Sequence, residues 1–341
     1  MLNERKRRIL QAIINDYIST AEPIGSRTIA RKYDLGVSSA TIRNEMADLE
    51  LLGYIEQLHT SSGRIPSSKG YRFYVDDLLS PESMTPNEMT LIKNWYKAKV
   101  QRLDEVFQET AKIISRMTKN VSLVLAPQLS QAMFRSLQFL PLDANRVIAV
   151  IMTDVGFIEN KIIVMPSGAS FEDFQRIALS INECLAGKAL DSISTSMLRK
   201  IEAEIKDSSL FDAALEVIHR ALAEEKKERI YLGGTTQLLS QPEFRDVEKV
   251  KAILLMLEEE QLLCDILNAQ KSEGLSVTIG QENKYSGIQE CSIISATYHF
   301  DGELLGTIAV LGPTRMEYAR TMALLDFMNA NLAQVLKQFR W

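Results

Sequence analysis

Between residues 26 and 55 the apolar positions fall at helical spacing in two short runs, separated by Asp34-Leu35-Gly36. The pattern predicts a first helix that starts at Ser26, whose hydroxyl is suited to capping the free N–H groups of the opening turn, and runs to Tyr33. Gly36 takes the positive φ that a tight turn demands at no steric cost, and Val37 plugs the angle between the helices. Ser38 and Ser39 offer the next N-cap, after which Ile42, Met46 and Leu49 share one face of a second helix and point inward. Ser39, Thr41, Arg43 and Asn44 are left on or near its outer face. In a helix-turn-helix the first two turns of the second helix reach base edges in the major groove. Arg43 is suited to a bidentate pair with guanine and Asn44 to one with adenine.

Beyond Gly53 the period changes. Apolar positions alternate on either side of Thr60-Ser61-Ser62-Gly63, which describes a β-hairpin, the wing of a winged helix. Arg64 is expected near its tip, placed for a phosphate or the minor groove. Any one of these residues alone is ordinary: an exposed helical arginine, a half-buried strand histidine, a basic turn. Two helices around a glycine turn, the second with a polar leading face, followed by a basic hairpin, make a constellation that favours DNA binding. The candidate DNA-contacting set is Arg7, Arg27, Ser38, Ser39, Thr41, Arg43, Asn44, His59, Ser62 and Arg64.

Residues 1–79 are expected to form this first domain and 80–87, with two prolines, a linker. One long helix is predicted over 88–119, then strands near 121–126, 133–140, 146–152 and 157–165, with 147–152 apolar on both faces as in a central buried strand. A helix over 171–185, with Ser170 as cap, returns the chain to a polar and charged stretch from 189 to 241 that reads as an insertion. A helix over 244–270, strands near 275–280, 291–300 and 304–311, and a last helix over 318–338 complete the pattern. The second domain is thus expected to be a sheet covered by helices, assembled from 88–188 and 242–341.

Charge sharpens the picture. Through residue 75 there are 11 Lys and Arg against 8 Asp and Glu, whereas the remainder carries 28 against 36, so contact with a polyanion is expected in the first segment only. Arg5-Lys6-Arg7-Arg8 concentrates positive charge at the start. Three widely spaced cysteines in apolar contexts read as reduced thiols, and together with the absence of an apolar run of about 20 residues they point to a cytoplasmic protein with no membrane partner. No metal-ligand spacing, nucleophile–base pattern or P-loop is present: Gly233-Gly234-Thr235-Thr236 lacks the lysine and spacing of a phosphate cradle and reads as a turn. No cofactor, metal site or catalytic residue is expected, and an enzyme or a pure interaction scaffold is the less favoured class.

The runs GYIEQLHTSSGRIPSSKGYRFYVD (53–76) and VSSATIRNEMADLE (37–50), with YLGG (231–234) and QPEF (241–244) further on, resemble the bacterial heat-inducible transcription repressor family, HrcA. The resemblance implies an α+β multidomain fold: an N-terminal winged helix-turn-helix, a GAF-like α/β domain, and an inserted dimerisation domain at 189–241. It also implies a homodimer that represses chaperone operons of the groE and dnaK type at an inverted-repeat operator called CIRCE, with the GroE chaperonin as a partner that keeps it active and heat stress removing that activity. A winged-helix regulator switched by a small ligand in the α/β domain is the alternative.

Overall fold

The computed structural model describes residues 2–57, 63–99, 103–126, 133–153, 158–166, 168–193, 197, 229–270, 274–300 and 303–336. Two compact units divide the chain: Met1–Lys97, Gln108–Leu125 and Ile230–Leu332 form the larger, and Ala98–Phe107, Ala126–Arg229 and Ala333–Trp341 the smaller.

The larger unit begins with helices α1 (Glu4–Thr20), α2 (Ser26–Lys32) and α3 (Ser39–Leu51). Ile9, Leu10, Ile13 and Ile14 of α1 meet Ile29, Ile42 and Leu49 in a fully buried core. Strands β1 (Ile55–Glu56) and β2 (Ile65–Pro66) pair antiparallel, Ile55 opposite Pro66, as the alternation predicts for a wing. Helix α4 (Ser68–Phe73) follows and runs into a π-helical turn, Tyr74–Leu78. One expected cap is absent. Gly25, not Ser26, occupies the N-cap of α2, and Ser26 is its buried first residue.

After α5 (Pro86–Lys99) and α6 (Leu103–Thr118), strand β3 (Val121–Leu125) enters a five-stranded antiparallel sheet. Its other strands are β7 (Ile230–Gly233), β8 (Leu275–Ile279), β9 (Cys291–Phe300) and β10 (Glu303–Pro313), in the order β7-β3-β10-β9-β8. Helices cover both faces. On one, α8 (Val247–Glu258) and α9 (Glu260–Ala269) pack Ile253, Leu257, Leu263 and Leu267 onto Val121, Leu123, Ile293 and Leu311. On the other, Ser122 Oγ donates to the Ala111 carbonyl of α6, and Asn329 of α10 (Tyr318–Leu336) donates to Thr297 O at 3.0 Å. The expected single helix over 244–270 is broken: Glu259 leaves helical geometry (φ −90°, ψ 85°), so that both halves reach one core.

Residues 231–233, expected inside the insertion, instead belong to β7, whose Ser122–Gly233 and Leu123–Leu232 pairs close the edge of this sheet, and of the turn expected over 233–236 only the part from Gly234 (φ 68°) onward is found. A Cβ on Gly233 would lie 2.4 Å from the Ala111 carbonyl. The glycine there permits close approach of α6 to a strand, a role that looks like a turn signal in the sequence.

In the smaller unit β4 (Phe134–Pro141), β5 (Arg146–Thr153) and β6 (Ile158–Val164) form a separate three-stranded antiparallel sheet. The single sheet expected for 121–165 is therefore two. Helix α7 (Phe171–Leu185) covers one face: Ser170 caps it in a box with Asp173, Phe174 meets Phe139 edge-on at 5.0 Å, and Asn182 pairs with both the N–H and carbonyl of Leu137. Val147, Ala149 and Ile151 are buried on that face, while Ile148, Val150 and Met152 on the other are only partly so. Across it Leu140, Ile148 and Ile162 stand in register, with Leu140 48% and Ile162 54% exposed. Most of the expected inserted domain, 194–196 and 198–228, lies outside the described residues.

Candidate nucleic-acid interface

Helix α3 is positioned from three sides. Ser38 Oγ accepts from the Thr41 N–H at 3.2 Å and lies 3.0 Å from Thr41 Oγ1, fixing the start of the helix. Gly36 adopts the left-handed turn conformation (φ 67°), as the sequence requires. Ile42, Met46 and Leu49 are buried, and Glu45 beside them is 8% exposed. That buried carboxylate is met by Lys6 at 2.8 Å and Arg5 at 3.3 Å, while Lys6 also reaches Asp48 at 3.0 Å. The hydrogen bonds that Lys6 donates to Glu45 and Asp48 raise its ammonium above its ordinary value, keeping it charged. The start of α1 is thus stapled to the middle of α3, which sets the angle at which α3 is presented.

On the opposite face Ser38, Ser39, Arg43 and Asn44 are exposed and Thr41 is half-buried. Arg43 forms no ion pair among the described residues, nor do Arg27 and Arg31, which lie one turn apart on the exposed side of α2. The three form a set of unneutralised cations on the two helices of the motif. Arg31, outside the candidate set, joins it as a further exposed cation, and its i,i+4 spacing from Arg27 is the sequence signal that pairs the two.

Other sequence candidates sit differently. Arg64 is not near the tip of the wing. It lies beside β2, its backbone bridges Ile24 (N to O 2.8 Å and 3.0 Å), and its guanidinium holds Glu50 of α3 through Nε at 2.9 Å and Nη2 at 2.8 Å. Partly buried and neutralised, it ties the root of the wing to the recognition helix. Arg7 turns onto Asp77, with Nη2 3.2 Å from Oδ1, and stacks over the Phe73 ring at 5.5 Å. Arg8 reaches the Asp34 carbonyl at 3.4 Å. The basic start is therefore internally engaged, for a reason invisible locally: its acceptors lie 26 to 70 residues away. His59 and Ser62 lie outside the described residues.

The winged helix is seated on the five-stranded sheet. Arg72 of α4 donates through Nε to Glu282 Oε1 at 2.8 Å and through Nη2 to the Val277 carbonyl at 2.6 Å, and a second bond joins Nη2 to Glu282 Oε2. Burial works to raise the Glu282 carboxyl, but the Arg72 guanidinium and the Ile279 N–H outweigh it and hold the group below the usual carboxylate value. Arg315 reaches back to the Ile18 carbonyl at 2.7 Å while pairing with Glu243 at 2.6 Å, and the Tyr71 and Tyr318 rings meet at 5.8 Å.

Residues 1–76 match the family described as winged helix-turn-helix transcription repressor, HrcA DNA-binding, and residues 104–322 match the HrcA protein C terminal domain. The chain is 44% identical over 339 residues to the heat-inducible transcription repressor HrcA of Pelotomaculum thermopropionicum, covering 99% of this chain and 97% of that one. It is 44% identical over 338 residues to the protein of the same name from Desulfitobacterium hafniense, covering 98% of each. A hypothetical protein whose crystal structure was solved at 2.2 Å shares the fold, with a TM-score of 0.70 at 24% identity over 99% of this chain and 100% of that one. The chain belongs to the HrcA family of heat-inducible transcription repressors, non-enzymatic regulators whose winged-helix domain binds DNA.

Proposed function

We propose that this protein represses chaperone operons of the groE and dnaK type by binding the inverted-repeat operator CIRCE as a homodimer. The observation that carries the reading is the outer face of α3, where Ser38, Ser39, Arg43 and Asn44 stand exposed with Thr41 beside them. In this reading these five face base edges and Arg27 and Arg31 meet phosphates, while His59 and Ser62, outside the described residues, are carried as proposed DNA contacts from the sequence alone. Arg64 and Arg7 act as struts that hold the reading surface in place.

One recognition helix per chain reads one half-site, and a two-fold dimer presents two to an inverted repeat. The apolar row Leu140, Ile148, Ile162, exposed at both of its ends, supports self-association through the smaller unit, which also contains residues 189–229 of the segment expected to dimerise. The larger sheet serves as the GAF-like domain. Its strand β3 pairs with β7 about a hundred residues on and with β10 still later, a topology of non-local contacts that folds slowly. Slow folding supports dependence on the GroE chaperonin: when damaged protein occupies the chaperonin, less repressor matures and the chaperone genes turn on. The site of action is the bacterial cytoplasm, at the nucleoid.

Footprinting of the purified protein on a CIRCE-containing duplex tests the reading. Protection of both half-sites, lost after heating and restored by GroE with ATP, is expected. Protection of one half-site, or full activity after heating without chaperonin, refutes the dimeric and chaperonin parts respectively.

A further inference from the structure

A cavity of about 200 Å³ opens between α9 and the segment 278–288, against the sheet. Its floor is Ile266, Ile288 and Ile293, all no more than 3% exposed. An apolar cavity of about 150 Å³ accepts benzene, so the space is that of a single-ring molecule. The polar groups at its mouth are not equivalent. The Gln270 carbonyl accepts from Ser276 and Thr278 hydroxyls at 3.2 Å and 3.0 Å, leaving its NH2 as the unused end. Lys284 is exposed and has no ion pair among the described residues. Glu282, the acidic group on the wall, is already bound by Arg72 and by the Ile279 N–H at 2.8 Å. The Gln270 NH2 and the Lys284 ammonium are thus two open donors, one of them cationic, at the mouth of an apolar floor, with Tyr285 also in the lining.

The wall is rigid and shared. The Asn283 amide, 4% exposed, donates to the carbonyls of Gly280, Ile288 and Cys291 at 2.9, 3.1 and 2.8 Å, which locks the loop. One anchor of Arg72, the Glu282 carboxylate, lines the cavity, a second, the Val277 carbonyl, adjoins the lining residue Thr278 in β8, and Ser68 of the winged helix packs so closely that a Cβ on Gly280 would lie 2.4 Å from its Oγ.

We propose that this cavity binds a small monocarboxylate with an apolar ring-sized body, its carboxylate on Lys284 and the Gln270 amide, and that occupancy changes operator affinity through the wall that seats Arg72. The second half rests on the DNA-binding reading. The first does not. Linkage requires that a ligand preferring one seating of the winged helix shift DNA affinity, and that DNA shift ligand affinity equally.

The probes are benzoate and cyclohexanecarboxylate, titrated calorimetrically into the full-length protein without DNA. Dissociation constants of about a millimolar are expected for molecules of this size. Benzamide, which keeps the ring and loses the charge, should bind about tenfold more weakly or worse, as should both acids to Lys284→Met. Ala269→Trp, on an exposed position at the mouth, should abolish binding without touching the core. Saturating benzoate should then move the dissociation constant of a labelled operator about fivefold or more in the wild type and leave it unmoved in Ala269→Trp. Equal affinity for benzamide, binding that survives Ala269→Trp, or no heat with either acid overturns the site. Unchanged operator affinity at saturation overturns the coupling. A protein that ignores DNA altogether would sink the repressor reading, while the calorimetry would still decide the cavity.

Discussion

Replacing Arg43 with alanine separates base reading from backbone attraction, because the side chain has nothing else to do. It is exposed, forms no ion pair among the described residues, and lies on the face of α3 opposite Ile42, Met46 and Leu49. Its removal should leave folding stability within about 0.5 kcal/mol of the parent, the usual range for a surface change. A bidentate arginine–guanine pair discriminates by about 1–3 kcal/mol, and in the proposed dimer two copies, too distant to couple, would discriminate by about 2–6 kcal/mol. Operator affinity should therefore fall about 30-fold or more, while a scrambled duplex of the same length loses only the small charge term. Fluorescence anisotropy with both duplexes across a range of salt concentrations reads the difference. Arg64→Ala is the internal contrast. With its guanidinium on Glu50 and 22% of its side chain exposed, its loss should cost about 1 kcal/mol of stability and leave the salt slope intact. Equal losses on operator and scrambled DNA for Arg43→Ala would make it a phosphate contact and remove the base-reading assignment.

The free cations of α2 give a second expectation: Arg27→Ala and Arg31→Ala should each flatten the plot of log affinity against log salt by about 1.8 for a dimer, at about 0.9 per phosphate. An unchanged slope in titrations of the operator would take α2 away from the backbone. Cys291 is fully buried, and burial pushes its thiol up to about 12, so iodoacetamide at pH 8 should leave it unlabelled until the larger unit opens. Mass spectrometry of protein alkylated during a heating ramp would then report that opening, and labelling at room temperature would contradict the packing. Glu282 has a folded pKa below its unfolded value of about 4.3, so its pairing with Arg72 contributes fully above that pH and is lost as pH falls through the folded value. Glu282→Gln should thus lower stability near neutrality and narrow the gap to the wild type on the acid side, measured by urea unfolding at a series of pH values. A gap that widens in acid would reverse the assignment.

What the sequence discloses about this fold is what short stretches of chain decide. The turn at Gly36, the cap at Ser38, the inward stripe of Ile42, Met46 and Leu49, and the pairing of β1 with β2 all depend on neighbours within a few residues, and each is found where the spacing puts it. A charged residue is different. Its type is legible, but whether its charge is already neutralised depends on the tertiary fold. Arg64 finds Glu50 at a separation of 14, Arg7 finds Asp77 at 70, and Arg72 finds Glu282 at 210. The strand at Ile230–Gly233 was hidden for the same reason, since only the approach of Ala111 distinguishes its glycine from that of a turn. A candidate interface follows by subtraction. Of the basic residues that local pattern nominates in the first domain, those on α1 and beside β2 are occupied with acids or carbonyls of the protein itself. Arg27, Arg31 and Arg43 remain open on the two helices of the motif. Within the first domain, internal pairing thus leaves the uncommitted charge on the surface that a DNA groove would meet, which is how the basic end of an acidic chain would direct its affinity for a polyanion.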